Sequence, residues 1–142
     1  MSADVARAFV DTNVLVYAHD TTSGAKRERA LDLVGGLWRS QTGCLSIQVL
    51  QEFFVTVTRR IPARVDCATA AAAVADFAKW TTHAPASADV LSAIDVHARH
   101  RISFWDAMIV HSAASLGCDV LYTEDLSAGQ RLESVLVVNP FV

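Results

Sequence analysis

The chain has 142 residues, of which 52% are hydrophobic and 19% charged, with a formal net charge of −3. That is enough chain to bury the core of one domain, 1–142, and the composition excludes a disordered polypeptide. No apolar run approaches the roughly 18 residues of a membrane span, and the opening MSADVARAFVDTN has no apolar signal core, so a soluble cytoplasmic protein without a membrane partner is expected.

The apolar run 8–10 stops at Asp11 and reads as a buried strand. Residues 12–19 follow as a short helix. Gly24 precedes a helical stretch, 25–41, with Ala30, Leu33, Val34, Leu37 and Trp38 at helical spacing. A short strand at 44–47 leads into an amphipathic helix at 48–60 carrying Val49, Leu50, Phe53, Phe54 and Val57, with Pro62 just beyond it. An Ala-rich helix covers 67–80 and a strand 81–84. A helix at 87–99 has Ser87 as candidate N-cap. The helix at 103–116 ends at Gly117, a natural residue for a left-handed helix stop. Strands follow at 120–123 and 135–138. Short apolar strands alternating with helices predict an α/β fold with a parallel sheet covered on both faces. In such sheets sites form at the carboxyl ends of strands.

Four acids fall at such ends or at the starts of helices that can reach the same edge: Asp11 in AFVDTNVLVYA, Glu52 in LSIQVLQEFF, Asp106 in ISFWDAMIV and Asp125 in VLYTEDL. A carboxylate beside an apolar run loses hydration on folding, and four that converge cannot all stay ionised without a cation between them. The placement suggests a divalent-metal site built from distant segments, suited to hydrolysis of a phosphate ester. Each acid also has a local explanation. Asp11 can cap the next helix. Ser103 and Asp106 form an S-x-x-D capping box. Glu52 can face solvent, and Asp125 can sit in a turn. Glu124 competes with Asp125. Asn13 is placed to orient Asp11 or a water, and Thr123 to hold a water or a phosphate. Ten Arg against two Lys suit bidentate phosphate contacts, although the negative net charge weighs mildly against a strong nucleic-acid binder.

DTNVLVYA at 11–18, QEFF at 51–54, FWDAMIV at 104–110, YTEDL at 122–126 and NPF at 139–141 resemble the PIN-domain ribonucleases. Within them they are most similar to the VapC toxins of bacterial toxin–antitoxin pairs. The resemblance implies a three-layer α/β/α sandwich with a central, mainly parallel sheet. It implies an acidic quartet of Asp11, Glu52, Asp106 and Asp125 with Asn13 and Thr123 as polar helpers. Asp11, Asp106 and Asp125 would ligate Mg²⁺ or Mn²⁺, whose hard-oxygen preference suits carboxylates. Glu52 would hold a water or act as base. The implied partners are an RNA substrate, a cognate antitoxin and a second copy in a homodimer. The antitoxin's C-terminal segment is expected over a groove between the helices at 24–40 and 48–60, against Leu33, Leu37, Phe54 and Val57.

Other residues read more simply. His97 and His100 are three apart on a helix, but no Cys/His cluster accompanies them. Cys44, Cys67 and Cys118 are odd in number and contain no CxxC, which favours free thiols over disulfides or zinc. Trp38, Trp80 and Trp105 suit core or interface roles, with Trp105 also placed to face RNA. Lys26, Arg27 and Arg29 make either a solvated helix face or an RNA contact. A receiver domain would need a late lysine, and only Lys26 and Lys79 are present. A haloacid-dehalogenase-type phosphatase would need Asp where Asn13 stands. A PIN nuclease of RNA processing that is not a toxin, and a PIN-like scaffold without activity, are the remaining alternatives.

Overall fold

β1 (Ala8–Val10) is the interior strand around which the topology turns, and all three of its residues are buried. The computed structural model describes residues 6–142. After β1 come α1 (Thr12–His19), α2 (Ala25–Ser40), β2 (Gly43–Ser46), α3 (Ile47–Arg59), α4 (Cys67–Phe77) and β3 (Thr81–His83). The chain continues through α5 (Ser87–His100), α6 (Phe104–Ser115), β4 (Val120–Tyr122), β5 (Arg131–Leu132) and β6 (Val135–Val138). The sheet order is β3-β2-β1-β4-β6-β5. Every strand pair is parallel except β5 with β6.

Crossover handedness turns this order into layers. From β1 to β2 to β3 the chain steps one way across the sheet; from β3 to β4 it steps back past β1. Right-handed crossovers therefore put α1–α4 on one face and α5–α6 on the other. The packing agrees: α1 contacts α2 and α3, α3 contacts α4, and α5 packs on α6. The expected three-layer α/β/α sandwich with a mainly parallel sheet is the observed fold. The reversal of direction lies between β1 and β4, where ligands bind in open sheets of this kind.

Side-chain chemistry explains most boundaries. Asp11 caps α1 by accepting from Thr12 N at 2.7 Å. Ser46 caps α3, accepting from Val49 N at 3.4 Å, and Asp66 caps α4, accepting from Thr69 N at 2.7 Å. α3 buries Val49, Leu50, Phe53 and Val57 on one face. Each such side chain contributes roughly 1.5–3 kcal/mol by leaving water. α6 is buried nearly all round, through Ala107, Met108, Ile109, Val110, Ser112 and Ala113, because the sheet lies on one side and α5 on the other. Gly43 marks a close approach: a Cβ there would stand 2.5 Å from the Trp80 ring. Trp80, Phe77, Phe53 and Trp38 form a chain of edge and tilted ring contacts.

Several expectations shift. Ile47 opens α3 instead of ending β2, because Ser46 takes the cap. α4 stops at Phe77, and Trp80 N bonds Phe77 O at 2.9 Å in a turn. Ser87 is not the cap of α5. The cap position is Ala86, whose N–H is satisfied by the Asp89 carboxylate at 2.8 Å. Ser103 does cap α6, accepting from Asp106 N at 3.1 Å. β5 was not expected. It reaches β6 through a two-residue turn in which Glu133 and Ser134 have φ of 50° and 71°. No Asn or Gly signals that turn. Glu133 is instead held by Arg99, at 2.9 and 3.0 Å, and by His100 at 2.9 Å. The two histidines are thus structural: His97 meets the carbonyl of Ile102 and His100 meets Glu133. Cys44 and Cys118 are buried and free, and Cys67 is exposed and free. Among the described residues no helix is long and apolar enough to cross a membrane.

Candidate active site

β1 and β4 run side by side with Val10 opposite Tyr122, so the residues that follow them emerge together. Asp11 N bonds Tyr122 O at 3.0 Å. Buried Asp11 then turns its carboxylate across the gap: Oδ1 accepts from Thr12 N, and Oδ2 accepts from the Thr123 hydroxyl at 2.8 Å. Thr123 is buried, and its hydroxyl accepts from Asp125 N at 3.0 Å. Asn13 bridges the two segments. Its Nδ2 lies 3.0 Å from Asp125 Oδ2, 3.3 Å from Thr123 Oγ1 and 3.5 Å from Asp11 Oδ2. Four of the six predicted residues therefore form one hydrogen-bonded unit.

Glu52 and Asp106 arrive on helix starts. Glu52 sits in the second turn of α3, where Oε2 accepts from the Thr12 hydroxyl at 3.3 Å and Oε1 from Gln48 at 2.8 Å. Gln48 Nε2 also lies 3.3 Å from the carbonyl of Trp105, which couples α3 to the start of α6 beside Asp106. Thr12 and Gln48 were not foreseen. Gln48 had a signal, since it stands four residues before Glu52 on a helix. Thr12 had none, because its partner lies 40 residues away.

The charges feel one another. Burial pushes the Asp11 carboxyl from 3.8 up to about 7, with Asp125 and Glu52 adding to the rise and the bonds from Thr123 and Thr12 opposing it. Burial also raises Asp106, against its bond to Ser103, and Asp125 raises it further. Glu124 is drawn elsewhere. Burial would raise it, but Lys26 at 2.9 Å and the Tyr17 hydroxyl outweigh burial and hold it below the usual range. Asp125, not Glu124, thus shares the mouth with Asp11. Lys26 is spent on Glu124, and Arg29 donates to the carbonyl of Pro140 at 2.9 Å, so both tie α2 to later segments.

Among the described residues, no three His, Cys, Asp or Glu side chains stand close enough to share a metal ion. The surroundings nonetheless fit a hard divalent cation. Burial, with a smaller contribution from like charges, raises Asp11, and two amide oxygens beside the acids, Asn13 Oδ1 and Gln48 Oε1, are buried without a hydrogen-bond partner. Carboxylate and amide oxygens are the donors that Mg²⁺ and Mn²⁺ take.

The apolar groove beside this site is not where it was expected. It runs between α3 and α4, lined by Leu50, Gln51, Phe54, Val55, Ala71 and Val74. Val57 is fully buried and offers no surface, because it faces the core side of α3.

A comparison with curated proteins finds no match. Solved structures do match. The VapC20 toxin of Mycobacterium tuberculosis, described as cleaving the sarcin–ricin loop, is 22% identical with a TM-score of 0.61, over 83% of this chain and 89% of that one. The toxin–antitoxin complex from Klebsiella pneumoniae is 18% identical with a TM-score of 0.68, over 94% and 97%. The DNA-bound VapBC of Salmonella typhimurium is 19% identical with a TM-score of 0.61, again over 94% and 97%. These likenesses are of fold. A family model described as the PIN domain matches residues 8–129, most of the chain, and the chain belongs to the PIN-domain family.

Proposed function

We propose that the chain is a divalent-metal-dependent endoribonuclease and the toxin of a toxin–antitoxin pair. The observation that carries this reading is the Asp11–Thr123–Asn13–Asp125 unit at the reversal between β1 and β4, with Glu52 and Asp106 on the same edge. PIN-domain membership and the likeness to VapC toxins support it. In this reading Asp11, Asp106 and Asp125 hold Mg²⁺ or Mn²⁺, with part of the shell reached through water, since no three acids among the described residues stand close enough to share the ion directly. The cation, when bound, offsets charge on the scissile phosphate and lowers the pKa of the attacking water. Thr123 and Thr12 N fix the Asp11 carboxylate, and Asn13 fixes Asp125. Glu52, oriented by Thr12 and Gln48, accepts the proton of the attacking water. The mouth lies at the surface: Asp125 is exposed and Asp106 half-buried, so a polymeric substrate can reach it.

The partner in this reading is an antitoxin made alongside the chain. Three of the similar structures are toxin–antitoxin or VapBC complexes. An antitoxin arginine reaching Asp11 or Asp106 would replace the cation, since a guanidinium brings both charge and paired hydrogen bonds. Homodimerisation and a cytoplasmic location belong to the same reading.

The test is a purified protein assayed on cellular RNA with and without Mg²⁺ or Mn²⁺, beside Asp106→Asn. The variant should keep native circular dichroism and lose cleavage. Undiminished cleavage by a folded Asp106→Asn would reject the site. Growth arrest on expression, relieved by the neighbouring small gene, tests the toxin assignment. A chain harmless alone and indifferent to that neighbour would leave a nuclease without the toxin role.

A further inference from the structure

A shallow groove of about 300 Å³ runs from the acidic mouth along the outer face of α3, lined by Gln51, Glu52, Val55, Thr56 and Arg60. Glu52, Thr56 and Arg60 are spaced i, i+4 and i+8, so they form one row on the helix surface. Arg60 stands about 12 Å from Glu52 along the axis, at 1.5 Å per residue. It does not stand alone. Arg59 and Arg64 flank it in RRIPAR, and all three are exposed. Elsewhere Lys26, Lys79 and Arg99 are neutralised by acids, and Arg7 and Arg29 donate to carbonyls. Among the described residues Arg59, Arg60 and Arg64 have neither kind of partner; Arg27, Arg39, Arg101 and Arg131 share that state singly along the chain, whereas these three fall within six residues of one another. A protein of net charge −3 whose reactive edge is lined with carboxylates repels a polyanion. A cationic cluster at the far end of a groove that begins at one of those carboxylates supplies the missing attraction.

We infer that the α3 groove is the track on which the RNA backbone lies. Arg60 binds a phosphate displaced from the scissile one through paired guanidinium–phosphate hydrogen bonds. Arg59 and Arg64 add nearby charge. The contact is to phosphate and carries no sequence information, so it sets affinity and register while other surfaces choose the cleavage site. This assignment rests on the nuclease reading and names where that site's substrate extends.

The experiment measures binding of a fluorescein-labelled single-stranded oligoribonucleotide of random sequence by anisotropy, in EDTA, over a range of salt. Cleavage by the metal-loaded wild type and by Asp106→Asn is followed in parallel. Arg60→Ala should weaken binding about fivefold, the loss typical of one exposed charged contact. It should also lower the slope of log K against log salt by roughly 0.7, the value for one single-strand phosphate. Arg60→Lys should keep most of the slope. Arg131→Ala, which removes the same charge from β5 at the far edge of the sheet, should leave affinity and slope unchanged. Arg60 caps α3 only through its backbone, so Arg60→Ala should melt with the wild type. The inference fails if a wild type that cleaves RNA gives Arg60→Ala with unaltered slope, or if Arg131→Ala produces the same change. A melting-temperature loss without a slope change makes Arg60 structural and also rejects it. A wild type that neither binds nor cleaves RNA overturns the nuclease reading itself, and the parallel assay separates the two failures.

Discussion

Replacing Asp11 with Asn should make the protein more stable, and increasingly so as pH rises. Asp11 is buried, and its folded carboxyl titrates near 7 against an ordinary 3.8. Between those values the folded chain keeps a proton that the unfolded chain has released. Stability therefore falls as pH rises through this window and levels off above about 7. With 1.36 kcal/mol for each tenfold change, the cost is about 0.5 kcal/mol at pH 4 and about 4 kcal/mol at pH 8. Asn keeps an oxygen for Thr12 N but loses an acceptor for the Thr123 or Asn13 donors, a loss of about 1 kcal/mol. The net gain at pH 8 is then about 3 kcal/mol, or roughly 6–12 °C in Tm for a chain of this size. At pH 4 the two proteins should melt within about 1 kcal/mol of each other. Thermal melts by circular dichroism in EDTA at several pH values measure this. A variant less stable than the wild type at pH 8, or a difference that does not vary with pH, would refute the reasoning.

Mg²⁺ or Mn²⁺ should raise the wild-type Tm, by linkage, and the Asp11→Asn/Asp125→Asn double variant should lose most of that rise; an equal rise would place the cation elsewhere. Gly43→Ala should lower stability by about 1–3 kcal/mol, read as a lower urea midpoint, because the new methyl enters the Trp80 ring. Thr123→Val should cost about 1–3 kcal/mol at pH 8 and less at pH 4, since it strips a donor from the ionised Asp11; pH-dependent melts check the difference. Ser134→Gly should stabilise the β5–β6 turn by about 1 kcal/mol in urea titration, because glycine takes its positive φ without strain.

What could be read before the structure followed from periodic signals with local causes. α1 was expected at 12–19 and lies there, because Asp11 caps it and the apolar run behind it is continuous. The strand-to-acid pattern pointed to Asp11 and Asp125, because β1 and β4 are parallel neighbours whose carboxyl ends emerge together; Asp106 opens α6 and follows no strand, so its placement came from the helix-start pattern instead. What escaped depended on partners far away in sequence. The Glu133–Ser134 turn is held by Arg99 and His100 instead of by turn chemistry, so β5 had no signature. Ser87 looked like a cap, but Asp89 reached back to Ala86 first. Val57 sat in an amphipathic pattern that did not say which of its apolar residues would remain at the surface. The choice between Glu124 and Asp125 needed Lys26 and Tyr17, which lie some hundred residues earlier.

The bond from Thr123 to Asp11 joins residues 112 apart, and the Asn13–Asp125 bond spans the same separation. Contacts of such range close late in folding, because the loop entropy must be met before the pairing stabilises anything. They also close late in synthesis. While the ribosome has made only the first hundred residues, β1 lacks β4, Asp11 lacks its hydroxyl donor, and Asp106 and Asp125 do not yet exist. Under the proposed nuclease reading, the nascent chain is therefore inert toward RNA. The Asp11–Thr123–Asn13–Asp125 unit is completed only when the segment through Asp125 has emerged and docked, so under the proposed reading an inhibitor made beforehand meets the site as it is finished.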